Sequence, residues 1–322
     1  MIKNITDREK TKMEISIANC LKCITNDVNS LKMKDKLEEP DYIAALCLCF
    51  PNKLKNILNT FFYDYLFSVT GIFCHQKPIA QIFDEPKGCE IGDLLFIYIH
   101  TDIQGNKLYN SLFLQAKISN EKRISLSSED DLRQLRLYTQ WPDFSYKRAD
   151  PLNGTKRCIV PKTSSNGAKY LIIDPTHVSF TKNNVKKDIY KIAFAHDPLY
   201  LNNRLSLELI GLISFNTGKP FEERPDNLDI KDNTWSKDEW SKMIWDIINI
   251  TKSSKSKRKN IRFNSFSRTT IAEHCLYYTQ QMDSGFYSLL FEDIDDKNIT
   301  SEYSTEEPNG LPMIIIESQE QN

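Results

Sequence analysis

Apolar positions recur at helical spacing through the first sixty-odd residues and then change to the short, dense runs of strands. Residues 1–35 read as a charged helix with a modest apolar stripe. Glu38-Glu39-Pro40 breaks it, and Asp41 is placed to cap a helix through Ile43, Ala44, Leu46 and Leu48. Pro51 opens another, with Leu54, Ile57, Leu58, Phe61, Phe62, Tyr65 and Leu66 on one stripe. Strands are predicted over 69–83, 90–100 and 110–118, the last two joined by a hairpin tip at Gln104-Gly105-Asn106. Ser127 or Ser128 caps a helix whose first turn is acidic, Glu129–Asp131, and Trp141-Pro142 ends it. A strand over Lys169–Ile173 lies between Asn166-Gly167 and Asp174-Pro175.

Beyond this point the pattern is less decisive. Leu205–Phe215 is apolar and reads as helix or strand, whereas Trp235, Trp240, Ile244, Ile247 and Ile248 mark an amphipathic helix. That helix runs into the chain's densest basic stretch, Lys252–Arg262, which includes Lys255, Lys257, Arg258 and Lys259. Met313–Glu317 reads as a buried strand. The expectation is an α/β protein with a central mixed sheet flanked by helices. Its parts would be an N-terminal helical segment (1–50), a core (51–180) and a C-terminal α+β extension (181–322), or all of these in one domain.

Composition narrows the classes. The chain has 322 residues, 40% hydrophobic and 26% charged, with a net charge of −1. No global field draws in nucleic acid, so a basic surface has to be local. No apolar run is long enough to span a membrane, and the polar N-terminus is unlike a secretory signal. The expected location is the cytoplasm. Cys20-x2-Cys23 and Cys47-x-Cys49 have the outline of a zinc site, but they lie in a helical apolar pattern without tight turns and read as reduced core thiols. Neither a Gly-x4-Gly-Lys phosphate loop nor a Gly-x-Ser-x-Gly elbow occurs, which argues against an NTPase and a serine hydrolase.

Candidate chemistry concentrates in residues 88–117. Asp93 opens one apolar strand and Gln115-Ala116-Lys117 closes the next. Residues two apart on a strand share a face, so Gln115 and Lys117 point one way while Leu112, Leu114 and Ala116 point the other. A carboxylate, an amide oxygen and an ammonium on one greasy hairpin suit a divalent metal and a phosphate. The plainer alternative is a solvated sheet face.

The order helix, strand, strand with Asp, strand with Gln-x-Lys, helix, strand, over about residues 54–175, resembles the PD-(D/E)xK superfamily of restriction-endonuclease-like nucleases. The similar branch is the Gln-x-Lys variant found in Mrr-like restriction enzymes. The resemblance implies Asp93 and Gln115 as metal ligands, Lys117 as the catalytic lysine, and Mg²⁺ or Mn²⁺ as cofactor. It also implies an acid on the helix before the first strand, for which Asp64 is the candidate, and Glu90 stands close enough to Asp93 to assist. His75 and the basic residues Lys255, Lys257, Arg258 and Lys259 are candidates for nucleic-acid contact. The implied activity is cleavage of DNA in a prokaryotic restriction or anti-phage defence setting, with a restraining protein partner or assembly into an oligomer or complex. The rival is a catalytically inactive nuclease-fold subunit that binds nucleic acid or a partner.

Overall fold

The computed structural model describes residues 5–30, 37–74, 77–177, 188–253, 277–279 and 310–321. Helix α1 (Asp7–Ser30) is followed by α2 (Glu39–Phe61). Then come β1 (Tyr65–Phe73), β2 (Ile79–Ile82), β3 (Cys89–Glu90), β4 (Leu94–Thr101), β5 (Lys107–Ile118) and β6 (Arg123–Ile124). Helix α3 (Glu129–Gln140) leads to β7 (Phe144–Lys147), β8 (Lys156–Arg157), β9 (Ala168–Ile173), β10 (Tyr190–Phe194) and β11 (Leu199–Arg204). Helix α4 (Leu205–Ile213), β12 (Lys219–Phe221), α5 (Glu239–Ser253), β13 (Tyr277–Thr279) and β14 (Met313–Glu320) complete the order.

The main sheet runs β13-β1-β14-β4-β5-β9-β10-β11-β6, with β12 pairing β5. It is mixed: β14 and β4 are parallel, as are β5 and β9, and the other pairs are antiparallel. One face packs on α1, α2 and α4 through residues such as Phe50, Phe96, Leu114 and Leu209. The other packs on α3, α5 and a second sheet of order β3-β2-β7-β8, through Phe113, Tyr138, Trp240 and Tyr146. A buried network ties that small sheet to α5: Arg157 Nε (2.6 Å) and the Tyr146 hydroxyl (2.9 Å) both donate to Asp246 Oδ2.

Several sequence expectations change. The two helices expected on either side of Pro51 are one, α2, and it begins at Glu39 before the expected Asp41 cap. Pro40 lies in the first turn, where no N–H is required. Pro51 lies inside the helix and cannot donate to the Cys47 carbonyl. Gly71 of β1 passes close to that carbonyl: a Cβ there would fall 1.9 Å from Cys47 O. The helix runs on through Pro51, with β1 packed tightly against the turn that lacks the hydrogen bond. The strand expected over 69–83 is two pieces in different sheets, β1 and β2. Leu205–Ile213 is helical, and α5 begins after Trp235. Met313–Glu320 lies between β1 and β4 in the middle of the main sheet, so residues beyond 181 build its interior as well as one flank. Among the described residues, no helix is long and apolar enough to cross a membrane.

Candidate functional site

Register brings the hairpin chemistry together. Leu94 pairs with Leu114, and the Asp93 N–H donates to the Leu114 carbonyl at 2.9 Å, which places Asp93 beside Gln115 at the end of the β4–β5 ladder. The Asp93 side chain is buried, 6% exposed, and each of its oxygens is engaged. Oδ2 accepts from Gln115 Nε2 and from the Ala116 N–H (2.6 Å). Oδ1 is ion-paired with Lys77 Nζ, which also reaches Glu90 Oε2 at 2.8 Å. Burial works against the Lys77 charge, but the carboxylates of Asp93 and Glu90 outweigh it and raise the lysine's pKa.

Gln115 is 3% exposed, and its Oε1 has no hydrogen-bond partner. An orphaned buried amide oxygen costs about 1–3 kcal/mol, and here it stands next to a carboxylate as an acceptor open to a donor or a cation. Lys117 leans the other way, onto α3: its Nζ is 2.5 Å from Asp131 Oδ1. Ser128 caps that helix, its hydroxyl accepting from the Asp131 N–H at 3.1 Å. On the same helix Gln134 also keeps a buried, unpartnered Oε1, and Tyr138 donates to the Ile91 carbonyl at 2.9 Å. Burial, then the Asp93 charge, push the Tyr138 phenol well above its ordinary pKa, so it stays a neutral donor.

An acid of the preceding helix that sequence reasoning missed, Glu39, reaches this end of β5. Its Oε1 accepts from the Ile118 N–H at 3.1 Å, directly after Lys117. Burial raises its pKa, with Lys117 and the Ile118 N–H pulling it down and Asp93 pushing it up. Asp64, the residue expected in that role, follows α2 and lies at the far end of the sheet. Its carbonyl accepts from the Gln321 N–H, next to the Tyr65–Glu320 pair, and Gln319 pairs with Thr101. Eight residues of β4 therefore separate its level from that of Asp93, about 25 Å of strand. The signal for Glu39 was available in the Glu-Glu-Pro start, but Pro40 was read as ending a helix when it begins one. Lys77 had no local signal at all. His75, Lys255, Lys257, Arg258 and Lys259 lie outside the described residues.

Among the described residues, no three His, Cys, Asp or Glu side chains gather as a metal cage. The donor chemistry nevertheless fits Mg²⁺ or Mn²⁺. Two carboxylates already converge on one cation, the Lys77 ammonium, and the neighbouring Gln115 Oε1 is a free hard oxygen. Mg²⁺ is commonly held by one or two carboxylates while water and phosphate fill the rest of its shell. Asp93, Glu90 and Gln115, the last after its amide turns, would hold it. Cys20, Cys23, Cys47 and Cys49 are free cysteines, and burial pushes the Cys20 thiol up to about 12.

No family model, no curated protein and no solved structure matches this chain.

Proposed function

We propose that this protein is a metal-dependent nuclease that cleaves DNA phosphodiester bonds, of the restriction-endonuclease-like type with Gln in place of the second acid. The observation that carries this reading is the buried Asp93–Gln115 contact, with an orphaned amide oxygen on one side and Lys117 two residues along the same strand face. A bound Mg²⁺ would lower the pKa of a coordinated water and offset charge on the reacting phosphate. Asp93 supplies the charged oxygen and Gln115 a neutral one, both fixed by the β4–β5 ladder. Lys117, turned from Asp131, orients the attacking water or stabilises the transition-state charge. Glu39, half-buried and raised in pKa, is placed beside Lys117 to take up a proton.

The same reading puts the protein in the cytoplasm as a prokaryotic restriction or anti-phage effector that acts with a restraining partner or in an assembly. The second reading, an inactive nuclease-fold subunit, is favoured by the ion pairs themselves, since both lysines at the site already have carboxylate partners.

Nicking of supercoiled plasmid with Mg²⁺ or Mn²⁺, run beside an RNA substrate, separates the readings. The expected result is metal-dependent nicking of DNA that stops with EDTA. Tight DNA binding without cleavage in either metal would favour the inactive subunit. Cleavage of RNA alone would move the substrate class.

A further inference from the structure

The two oxygens of Asp93 belong to different sheets. Oδ2 is held by Gln115 and the Ala116 N–H of the main sheet, whereas Oδ1 faces Lys77, on the segment that enters the small sheet. That segment is fastened to the stretch carrying the two acids: the Ile91 N–H donates to the Pro78 carbonyl at 3.2 Å, and Ile79 pairs with Glu90. Lys77 is therefore aimed at the Glu90–Asp93 pair by backbone pairing, and its side chain is only 11% exposed.

We infer that Lys77 is a built-in counter-cation that holds the Asp93–Glu90 carboxylates closed against divalent metal, so that loading the site requires its ammonium to leave. This inference rests on the metal-dependent reading above and specifies how that site is regulated. A divalent ion on Asp93 Oδ1 would sit about 2.0–2.1 Å from the oxygen. An ammonium already in contact with the same oxygen leaves neither the space nor the charge balance for it. Lysine is suited to such a role because its head is a compact point charge on a flexible stem. The head can swing away without moving β2, and an incoming phosphodiester offers it a new anion. Metal and substrate are then favoured together, and the site stays closed when no nucleic acid is present.

The test is Mn²⁺ titration of the whole chain by calorimetry and electron paramagnetic resonance, with plasmid nicking measured in parallel. Lys77→Met is expected to bind Mn²⁺ at least tenfold tighter than wild type, and adding Asp93→Asn should reverse that gain. Lys77→Gln, which keeps a neutral donor between the acids, is the second variant should Lys77→Met melt early. Lys77→Arg keeps the positive charge and should bind no tighter than wild type. Unchanged or weaker Mn²⁺ binding by both neutral variants overturns the inference, and nicking by wild type would leave the nuclease reading standing. Tighter binding by Lys77→Arg as well overturns it too, because charge is then not the cause. Tighter binding by the neutral variants alone, with no nicking by any protein, supports the closed metal site and removes the nuclease reading.

Discussion

Lys117 Nζ lies 2.5 Å from Asp131 Oδ1, so the lysine that ends β5 is held by the helix that follows it. Both side chains are about a fifth exposed (21% and 23%), which limits the pair's worth to about 0–1 kcal/mol. Lys117→Ala is accordingly expected to leave the fold nearly as stable. Its single-turnover cleavage rate should fall by roughly two to three orders of magnitude, the scale of losing one transition-state donor. Metal affinity should be unchanged or slightly higher, and Lys117→Arg should rescue poorly because a planar fork cannot replace a compact ammonium. Wild-type cleavage by a folded Lys117→Ala protein would remove this residue from the mechanism.

The same ion pair has a pH signature. Burial alone would raise the Asp131 pKa, but hydrogen bonds from Lys117 and Ser128 hold it below its ordinary 3.8. A carboxylate lowered on folding stabilises the protein above its unfolded pKa, and that contribution is lost as pH falls through the folded value. Asp131→Asn should therefore cost about 0.5–1 kcal/mol near neutrality, and less in acid as pH falls below the ordinary 3.8. Urea melts at neutral and acid pH measure the difference. A gap that persisted in acid would place the effect elsewhere, for instance in the helix cap.

Asp93→Asn tests the proposed metal ligand, and the structure adds a stability cost to it. The aspartate is buried and answers both Lys77 and the Gln115 amide, so a neutral side chain leaves a buried ammonium short of charge. The expected outcome is loss of Mg²⁺-dependent nicking together with a melt that remains cooperative but weaker by about 1–3 kcal/mol. Retained nicking would exclude Asp93 as a ligand.

Glu39→Gln is expected to separate stability from activity. The carboxyl's pKa is raised from its ordinary 4.5, chiefly by burial, so folding favours its neutral form. That contribution is fully present below the unfolded pKa and is lost as pH rises through the folded value. At neutral pH the neutral amide, which keeps an oxygen for the Ile118 N–H, should stabilise by up to about 0.5 kcal/mol after allowance for solvent screening. The gain should vanish below about pH 4.5 while cleavage falls at every pH. Full activity in Glu39→Gln would exclude a role as base.

The hairpin was legible because its signals are local. Alternation set Gln115 and Lys117 on one face and Leu112, Leu114 and Ala116 on the other; the structure puts those three in one core layer and Phe113, two residues before Gln115 on the same strand face, in the other. Ser128 and its acidic turn announced α3 by similarly short-range chemistry. What escaped depends on distant pairing. Pro51 looked like a helix start because the strand glycine that packs against its missing hydrogen bond, Gly71, is known only from the fold. Glu39 reaches the Ile118 N–H across 79 residues of chain, whereas Lys77, only 16 residues before Asp93, meets it by way of a second sheet whose pairing no periodicity announces.

The placement of β14 between β1 and β4 carries a consequence for synthesis. Tyr98 and Ser318 share a hydrogen bond across 220 residues of chain, so β4 lacks one of its two neighbours until residues 313–320 have left the ribosome. Such long-range pairing is slow to form, because the loop's closure entropy is spent before any contact compensates it. Asp93's own partners, Lys77, Gln115 and the Ala116 N–H, all lie within residues 77–116, so the hairpin can close around it on a partly made chain while the β14 side of β4 is still unpaired.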